Sequence, residues 1–229
     1  ELGSTEFIGG AAIVARHLAS LGCECDFISV TGDDDTATFV EDELINDGIR
    51  AQIIRDANRP TTFKKRYMVN NQKILRVSRL KDNSVREELE TEILQKVAEI
   101  ADKIDGLIVC DFVYGVVTKK ILAGIIELSK KNGFKLFGDL QCSSQIGNVT
   151  KFKEFDMITP TEREARIALA DNESGIERIA REIIKETKCH NLLITLNSSG
   201  LIAYHSNGQH GEEQSQHFPA LVASPVDVA

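Results

Sequence analysis

The chain has 229 residues, 42% of them hydrophobic, with 27 basic against 35 acidic side chains and a formal charge of -8. That is enough apolar material to bury the core of one domain, or of one domain with a small appendage. The acidic balance excludes nucleic acid or an anionic membrane as the main partner, because both attract net positive surfaces. No apolar run approaches the roughly 20 residues needed to span a bilayer, and no signal peptide is visible. Cys23, Cys25, Cys110, Cys142 and Cys189 are scattered and odd in number, so they read as reduced thiols of a cytoplasmic protein. The "CEC" pair has no second pair at zinc spacing, which favours packing over metal.

In chain order, "GGAAIVARHLASLG" carries Ala12, Ala15 and Ala19 with Ile13 and Leu18 at helical spacing, and Gly22 stops it. "DFISV" reads as a strand. "DDTATFVEDELINDGI" reads as a second helix with Phe39, Leu44 and Ile45 inward and Gly48 as its stop. "SVREELETEILQKVAEIADKI" is a long amphipathic helix with Val85, Leu89, Ile93, Val97 and Ile100 on one stripe. Then strands and helices alternate: "GLIVC", "KKILAGIIELSKKNG", "FKLFG", "FDMIT", "TEREARIALA", "GIERIAREIIKET" and "NLLIT". "YHSNGQHGEEQSQHF" reads as a polar loop and edge-strand region. Such alternation predicts an α/β fold with a mostly parallel sheet.

Each of these later strands ends in polar residues. "GLIVC" runs into Asp111, "FKLFG" into Asp139, "FDMIT" into Thr161 and Glu164, and "NLLIT" ends at Thr195. In open parallel sheets, ligands bind outside the carboxyl ends of the strands. One such acid is most simply a turn or a cap. Four in register point to a site. "TERE" also fits a capping box, with Thr161 as cap and Glu164 three residues on.

The segment 59–80, "RPTTFKKRYMVNNQKILRVSRL", holds seven Lys or Arg and no acid in an otherwise acidic chain. Pro60 blocks a helix, and Thr61, Thr62, Phe63, Tyr67, Val69 and Val77 favour strands. A hairpin with a three-residue loop (Asn70, Asn71, Gln72) pairs Arg66 with Arg76 and Lys64 with Ser78. Lys64, Arg66 and Arg76 then share one face, and Phe63, Tyr67, Leu75 and Val77 the other. Like charges placed opposite each other destabilise a hairpin unless an anion lies between them, and the planar fork of Arg suits phosphate. The stretch therefore reads as a flap over a phosphorylated small molecule. The expected division is a core of residues 1–49 and 81–229 with a lid of residues 50–80.

"FIGGAAIVARHLASLG", "VTGDDD", "RPTTFKKRYMVNNQKILRV", "VCDFVYG", "GDLQ", "ITPTERE", "LLITLNSSG" and "VDVA" follow one another in the order and spacing of ribokinase-like (PfkB) sugar kinases. Within that family the chain most resembles the kinase domain that phosphorylates D-glycero-D-manno-heptose 7-phosphate. The resemblance implies a ribokinase-like three-layer α/β sandwich with a small β-hairpin lid, often the contact between two subunits of a homodimer. It implies phosphoryl transfer from ATP, with Mg2+, to a hydroxyl of a sugar or sugar phosphate. By position, Gly9, Gly10, Asp34 and Asp111 match the sugar side, and Lys64, Arg66 and Arg76 match the lid. Asp139, Thr161, Glu164, Thr195, Gly200 and Asp227 match the nucleotide side, and Glu164 also matches an acid associated with Mg2+.

The chain departs from the family pattern at several places. It has Ile13 and Thr161 where the family often has Asn, Tyr114 where it often has Lys, and Asp139-Leu140-Gln141 where the heptose kinases have Asp-Pro-Lys. The start at Glu1 and the stop at Ala229 both read as cut ends. The Gly-Ala-Gly-Asp motif that holds the family's catalytic base is expected beyond Ala229. These departures keep a second reading open, a non-catalytic relative that binds a sugar phosphate or nucleotide. A Rossmann dehydrogenase is disfavoured, since "IGGAAIVA" lacks the GxGxxG spacing.

Overall fold

The computed structural model describes residues 3–69, 72–142, 145–206 and 213–221. They divide into two compact units, one of residues 1–99 with 114–118 and one of residues 100–113 with 119–229.

In the first unit, α1 (Ala11–Ser20) and α2 (Asp35–Asn46) carry inward apolar stripes. Ile45, expected inward, is instead 57% exposed, because it lies one step round the helix from the buried Leu44. Ile8, Ala12, Ala15, Leu44 and Ile49 form one buried cluster, with Phe27, Phe39, Val40 and Ile53 packed against it. Asp34 starts α2 by accepting the N–H of Ala37, and Gly48 at φ +77° follows its end. β1 (Asp26–Thr31) pairs in parallel with β2 (Arg50–Arg55). Residues 50–55 thus belong to this pair, and the lid hairpin itself comprises β3 (Phe63–Val69) and β4 (Gln72–Arg79). After it comes α3 (Glu87–Ile100), with Leu89, Ile93 and Val97 buried.

The hairpin register is the expected one at Arg66↔Arg76 and Lys64↔Ser78. The turn differs. Gln72 already pairs with Val69, so the ladder closes around Asn70 and Asn71, which lie outside the described residues. A bulge between Tyr67 and Met68 leaves Ile74 as the extra residue and restores the outer register.

The second unit contains a six-stranded mixed sheet in the order β10-β9-β8-β7-β6-β5. β5 (Gly106–Asp111), β6 (Lys135–Leu140), β7 (Met157–Ile158) and β8 (Asn191–Thr195) are parallel neighbours, as the alternation predicts. β9 (Leu201–Ser206) and β10 (Glu213–Phe218) extend the sheet antiparallel. The helices are α4 (Lys119–Asn132), α5 (Glu162–Leu169) and α6 (Ile176–Thr187). Leu136, Leu140, Ile158, Leu192 and Ile194 from the sheet, Ile179 and Ile183 from α6, and Phe152 and Phe155 are fully buried. The rings of Phe152 and Phe155 lie 5.0 Å apart, and Gly138 makes room for them: a Cβ there would come within 2.8 Å of Phe152. Burying each ring contributes about 1.5–3 kcal/mol.

Candidate functional site

On the first unit, Gly10 adopts φ +60° at the start of α1, and Gly9 has open space where a Cβ would stand. That backbone is the kind that can be approached closely, as the sugar-side match requires. Asp34 is more occupied than its sequence context suggests. Besides capping α2 it accepts the N–H of Thr61 at 3.0 Å and faces the Arg79 guanidinium at 3.6 Å. Burial alone would raise this carboxyl, but the bonds from Thr61 and Ala37 and the charge of Arg79 hold it below the usual range. Thr61 leads into β3 and Arg79 ends β4, so Asp34 ties both legs of the hairpin to the helix it caps.

A second fastening, which the sequence did not reveal, is Arg59. Its guanidinium is 6% exposed and donates to Asp56, to the carbonyl of Asn83 and to the carbonyl of Tyr114. Two of the seven positive charges in the basic stretch, Arg59 and Arg79, therefore serve the base of the lid. On the hairpin, Lys64 lies 5.2 Å over the ring of Tyr114, and Arg66 faces Arg76 across the strands. β3 and β4 hold no acid. Tyr67, Leu75 and Val77 on the other face are 41–53% exposed.

On the second unit, parallel pairing brings Asp111, Asp139, Thr161, Glu164 and Thr195 to the carboxyl ends of β5, β6, β7 and β8. An open groove of about 930 Å³ lies there, lined by Asp139, Thr161, Glu164 and Thr195 together with Arg163 and Asn197. Thr161 and Thr195 bridge in parallel, and the Thr195 N–H donates to Pro160. Gly200, at φ +94°, turns the chain from β8 into β9, and its carbonyl accepts the N–H of Leu196. Asp139 accepts a bond from the Thr159 hydroxyl, yet burial, reinforced by the charge of Glu164, pushes its carboxyl up. Gln141, in the place of the lysine of the heptose-kinase pattern, is exposed and donates its backbone N–H to the backbone carbonyl of Asp111. Asp227 lies outside the described residues.

Glu164 forms the capping box that "TERE" predicts. One oxygen accepts from the N–H and the hydroxyl of Thr161, and the other accepts the N–H of Cys142 at 2.9 Å. The carboxylate thus fastens the loop after β6 to the start of α5. Among the described residues no group of three or more His, Cys, Asp or Glu side chains could hold a metal ion. With its two oxygens accepting three hydrogen bonds, Glu164 is held by the protein, and its part toward Mg2+ would be an indirect one, through the waters that this cation keeps.

These features can be set beside known proteins. The model of the pfkB family carbohydrate kinase matches residues 4–229. The chain belongs to that family. Relatives include the "Bifunctional protein HldE" of a Nitratiruptor species, 27% identical over 228 residues, covering 96% of this chain and 45% of that protein. The protein of the same name from Geobacter sulfurreducens is 28% identical over 226 residues, with 96% and 44% covered. The chain therefore spans a little under half the length of these curated relatives. Among solved structures, Escherichia coli phosphofructokinase-2 in complex with fructose-6-phosphate superposes with a TM-score of 0.69 at 15% identity, covering 95% of this chain and 70% of that one. Ribokinase from Giardia lamblia gives 0.73 at 13% identity, with 93% and 65% covered. At these identities the structures establish the fold, a ribokinase-like α/β fold with a mixed, mostly parallel sheet.

Proposed function

We propose that the chain is the sugar- and nucleotide-binding part of an ATP-dependent carbohydrate kinase whose acceptor is a sugar phosphate similar to heptose 7-phosphate. The observation that carries this reading is the acid-free lid face on which Arg66 stands opposite Arg76, with Lys64 two residues before Arg66 on the same strand. Two guanidinium groups held opposite each other repel unless an anion joins them, and a phosphate can take two N–H donors from each. The groove at the carboxyl ends of the parallel strands fits the nucleotide by position and by size. Phosphoryl transfer asks little covalent chemistry of a protein, so positioning of the two substrates and stabilisation of charge do most of the work. In this reading the lid residues bind and orient the acceptor phosphate. Asp111 orients an acceptor hydroxyl, and Thr195 and Gly200 shape the nucleotide edge of the groove. The exposed Tyr67, Leu75 and Val77 on the far face of the lid suit the same face of a second copy, which supports a homodimer paired through the lid.

The test uses the natural full-length protein with phosphorylated and unphosphorylated sugars. Arg76→Ala should weaken binding of the sugar phosphates by about 1.5–3 kcal/mol, one lost charge-assisted contact, and leave unphosphorylated sugars nearly unaffected. Equal losses for both ligand classes would refute the phosphate role of the lid. A second reading, a binding module without catalysis, draws support from Glu164, whose acid is spent on the capping box. Retained binding of ATP and sugar phosphate with no transfer across the panel would assign that reading.

A further inference from the structure

The kinase reading leaves one half-buried charged group unused. Lys151 ends a short 3-10 turn, Val149–Lys151, that Asn148 caps by accepting the N–H and hydroxyl of Thr150. Its ammonium is ion-paired with Oδ2 of Asp111, the last residue of β5, and lies 5.4 Å over the ring of the fully buried Phe152. Asp111 is 4% exposed. Its other oxygen, Oδ1, accepts the N–H of Val113 at 2.8 Å. Val113 has φ +61°, a left-handed conformation that a β-branched residue rarely adopts, and such outliers cluster at functional sites. Gly147 seals the turn from the other side, since a Cβ there would come within 2.7 Å of the Val113 side chain. Two segments, residues 111–113 and 147–151, thus converge to fix one carboxylate at the strand rim.

A carboxylate has about four lone-pair positions, and Val113 and Lys151 take two of them. The remaining ones accept hydrogen bonds from hydroxyls, and do so most strongly when the group is a carboxylate. Burial disfavours the ionised form of any carboxyl, and an adjacent ammonium restores it. We propose that Lys151 is a positioning residue of the acceptor site, which acts through Asp111 by holding that carboxylate ionised and aimed at a sugar hydroxyl. This rests on the kinase reading for the identity of the acceptor, but the ion pair stands without it.

The consequence is a dependence on pH with a definite sign. Burial pushes the ammonium of Lys151 down, to about 8, while the Asp111 carboxylate beside it favours the charged form. The charged groups on neighbouring elements are Asp139 on β6, whose charge acts on Cys110, and Glu164 on α5, whose charge acts on Asp139 and Cys142. Cys110 is pushed up to about 12 by burial and stays neutral throughout. Below pH 8 Lys151 is charged and stands against the Asp111 carboxylate. As pH rises past 8 the ammonium loses its proton, the carboxylate loses its counter-charge, and acceptor affinity should fall.

The experiment measures calorimetric binding of fructose 6-phosphate and of D-glycero-D-manno-heptose 7-phosphate to the natural full-length protein between pH 6 and 9. Turnover with ATP is followed in parallel. The unaltered protein should bind the sugar it accepts steadily to pH 7 and more weakly above 8. Lys151→Arg keeps the charge and should abolish that alkaline decline. Lys151→Met should bind about tenfold more weakly at pH 7 and recover as pH rises, because burial disfavours a carboxylate that has lost its neighbouring ammonium. The opposite slopes of the unaltered and Met proteins are the signature, and a merely structural lysine would not produce them. Parallel slopes, or a Lys151 amine that titrates in 15N NMR like an exposed lysine, would overturn the proposal. Crossed slopes without turnover would sink the kinase reading alone. Turnover with parallel slopes would sink the role of Lys151 alone, and no binding of either sugar at any pH would remove both.

Discussion

Arg59→Ala is expected to destabilise the protein by about 3–5 kcal/mol, the usual result of removing one partner of a buried ion pair. Asp56 is 4% exposed, and without Arg59 it keeps only the donors of Asn58 and a 3.5 Å contact to Arg86, whose side chain is 57% exposed. The carbonyls of Asn83 and Tyr114 lose a donor at the same time. Such a loss is a large part of the 5–15 kcal/mol that a domain commonly has. Arg59→Lys should recover only part of it, because one ammonium cannot reach three acceptors spread over a planar fork. The sign with pH follows from Asp56. Burial alone would raise its carboxyl, but the bonds from Asn58 and Arg59 and the charge of Arg86 overcome this and hold it below the ordinary carboxylate range. Its stabilising contribution is therefore complete above the unfolded value, near 4, and is lost as pH falls through the lower folded value. Urea denaturation at pH 7 and at a pH below that folded value should show the difference between the unaltered and Ala proteins shrinking on the acid side. Arg59 lies before β3 and Asn83 lies after β4, so hydrogen exchange in residues 63–79 should also quicken in the variant. A fully stable Arg59→Ala protein with an unchanged lid would show that this residue is a bystander.

What was legible in the sequence is whatever repeats. The apolar runs ending at Asp111, Asp139, Thr161 and Thr195 could be read as parallel strands because helices with 3.6-residue stripes separate the first from the second and the third from the fourth. Parallel order alone then places those side chains on one rim. The hairpin register was legible from its charges, although its loop was not. A three-residue loop and a two-residue loop with a bulge at Tyr67/Met68 give the same pairing of Arg66 with Arg76, so the outer register cannot tell them apart. β2 was missed because "RAQIIR" offers two adjacent apolar residues between charges and adjoins the basic stretch, which drew it into the lid. Lys151 left no local signature, and the local one of Arg59, Asp56 three residues before it, is too common a spacing to mark a buried pair. Each reaches a partner far along the chain, 40 positions away for Lys151 and 55 for Arg59, and Arg59 looked like one more charge of the lid. Periodicity reports faces of elements. It says nothing about which lone cation closes on which acid.

Glu164→Ala should cost about 3 kcal/mol of stability and weaken nucleotide binding in the groove as well. The carboxylate is 7% exposed and accepts three hydrogen bonds, from the N–H and hydroxyl of Thr161 and from the N–H of Cys142. Bonds to a charged acceptor contribute about 1.5–3 kcal/mol each, and their donors would be left buried without a partner. The loss cannot be additive, since the hydroxyl of Thr161 can rotate to another acceptor and water can enter an open groove. Glu164→Gln keeps one acceptor oxygen and replaces the other by a donor that faces donors, so its cost should fall between Ala and the unaltered protein. Both variants should free the loop after β6 from the start of α5, and both segments line the groove. Affinity for a non-hydrolysable ATP analogue should fall with Mg2+ present and with Mg2+ absent, by similar factors. That pattern separates the two roles open to this acid. A residue that acted through Mg2+ would lose affinity only when the cation is present and would leave urea denaturation unchanged. An equal loss in both conditions, together with lower stability, is what a carboxylate spent on Thr161 and Cys142 requires.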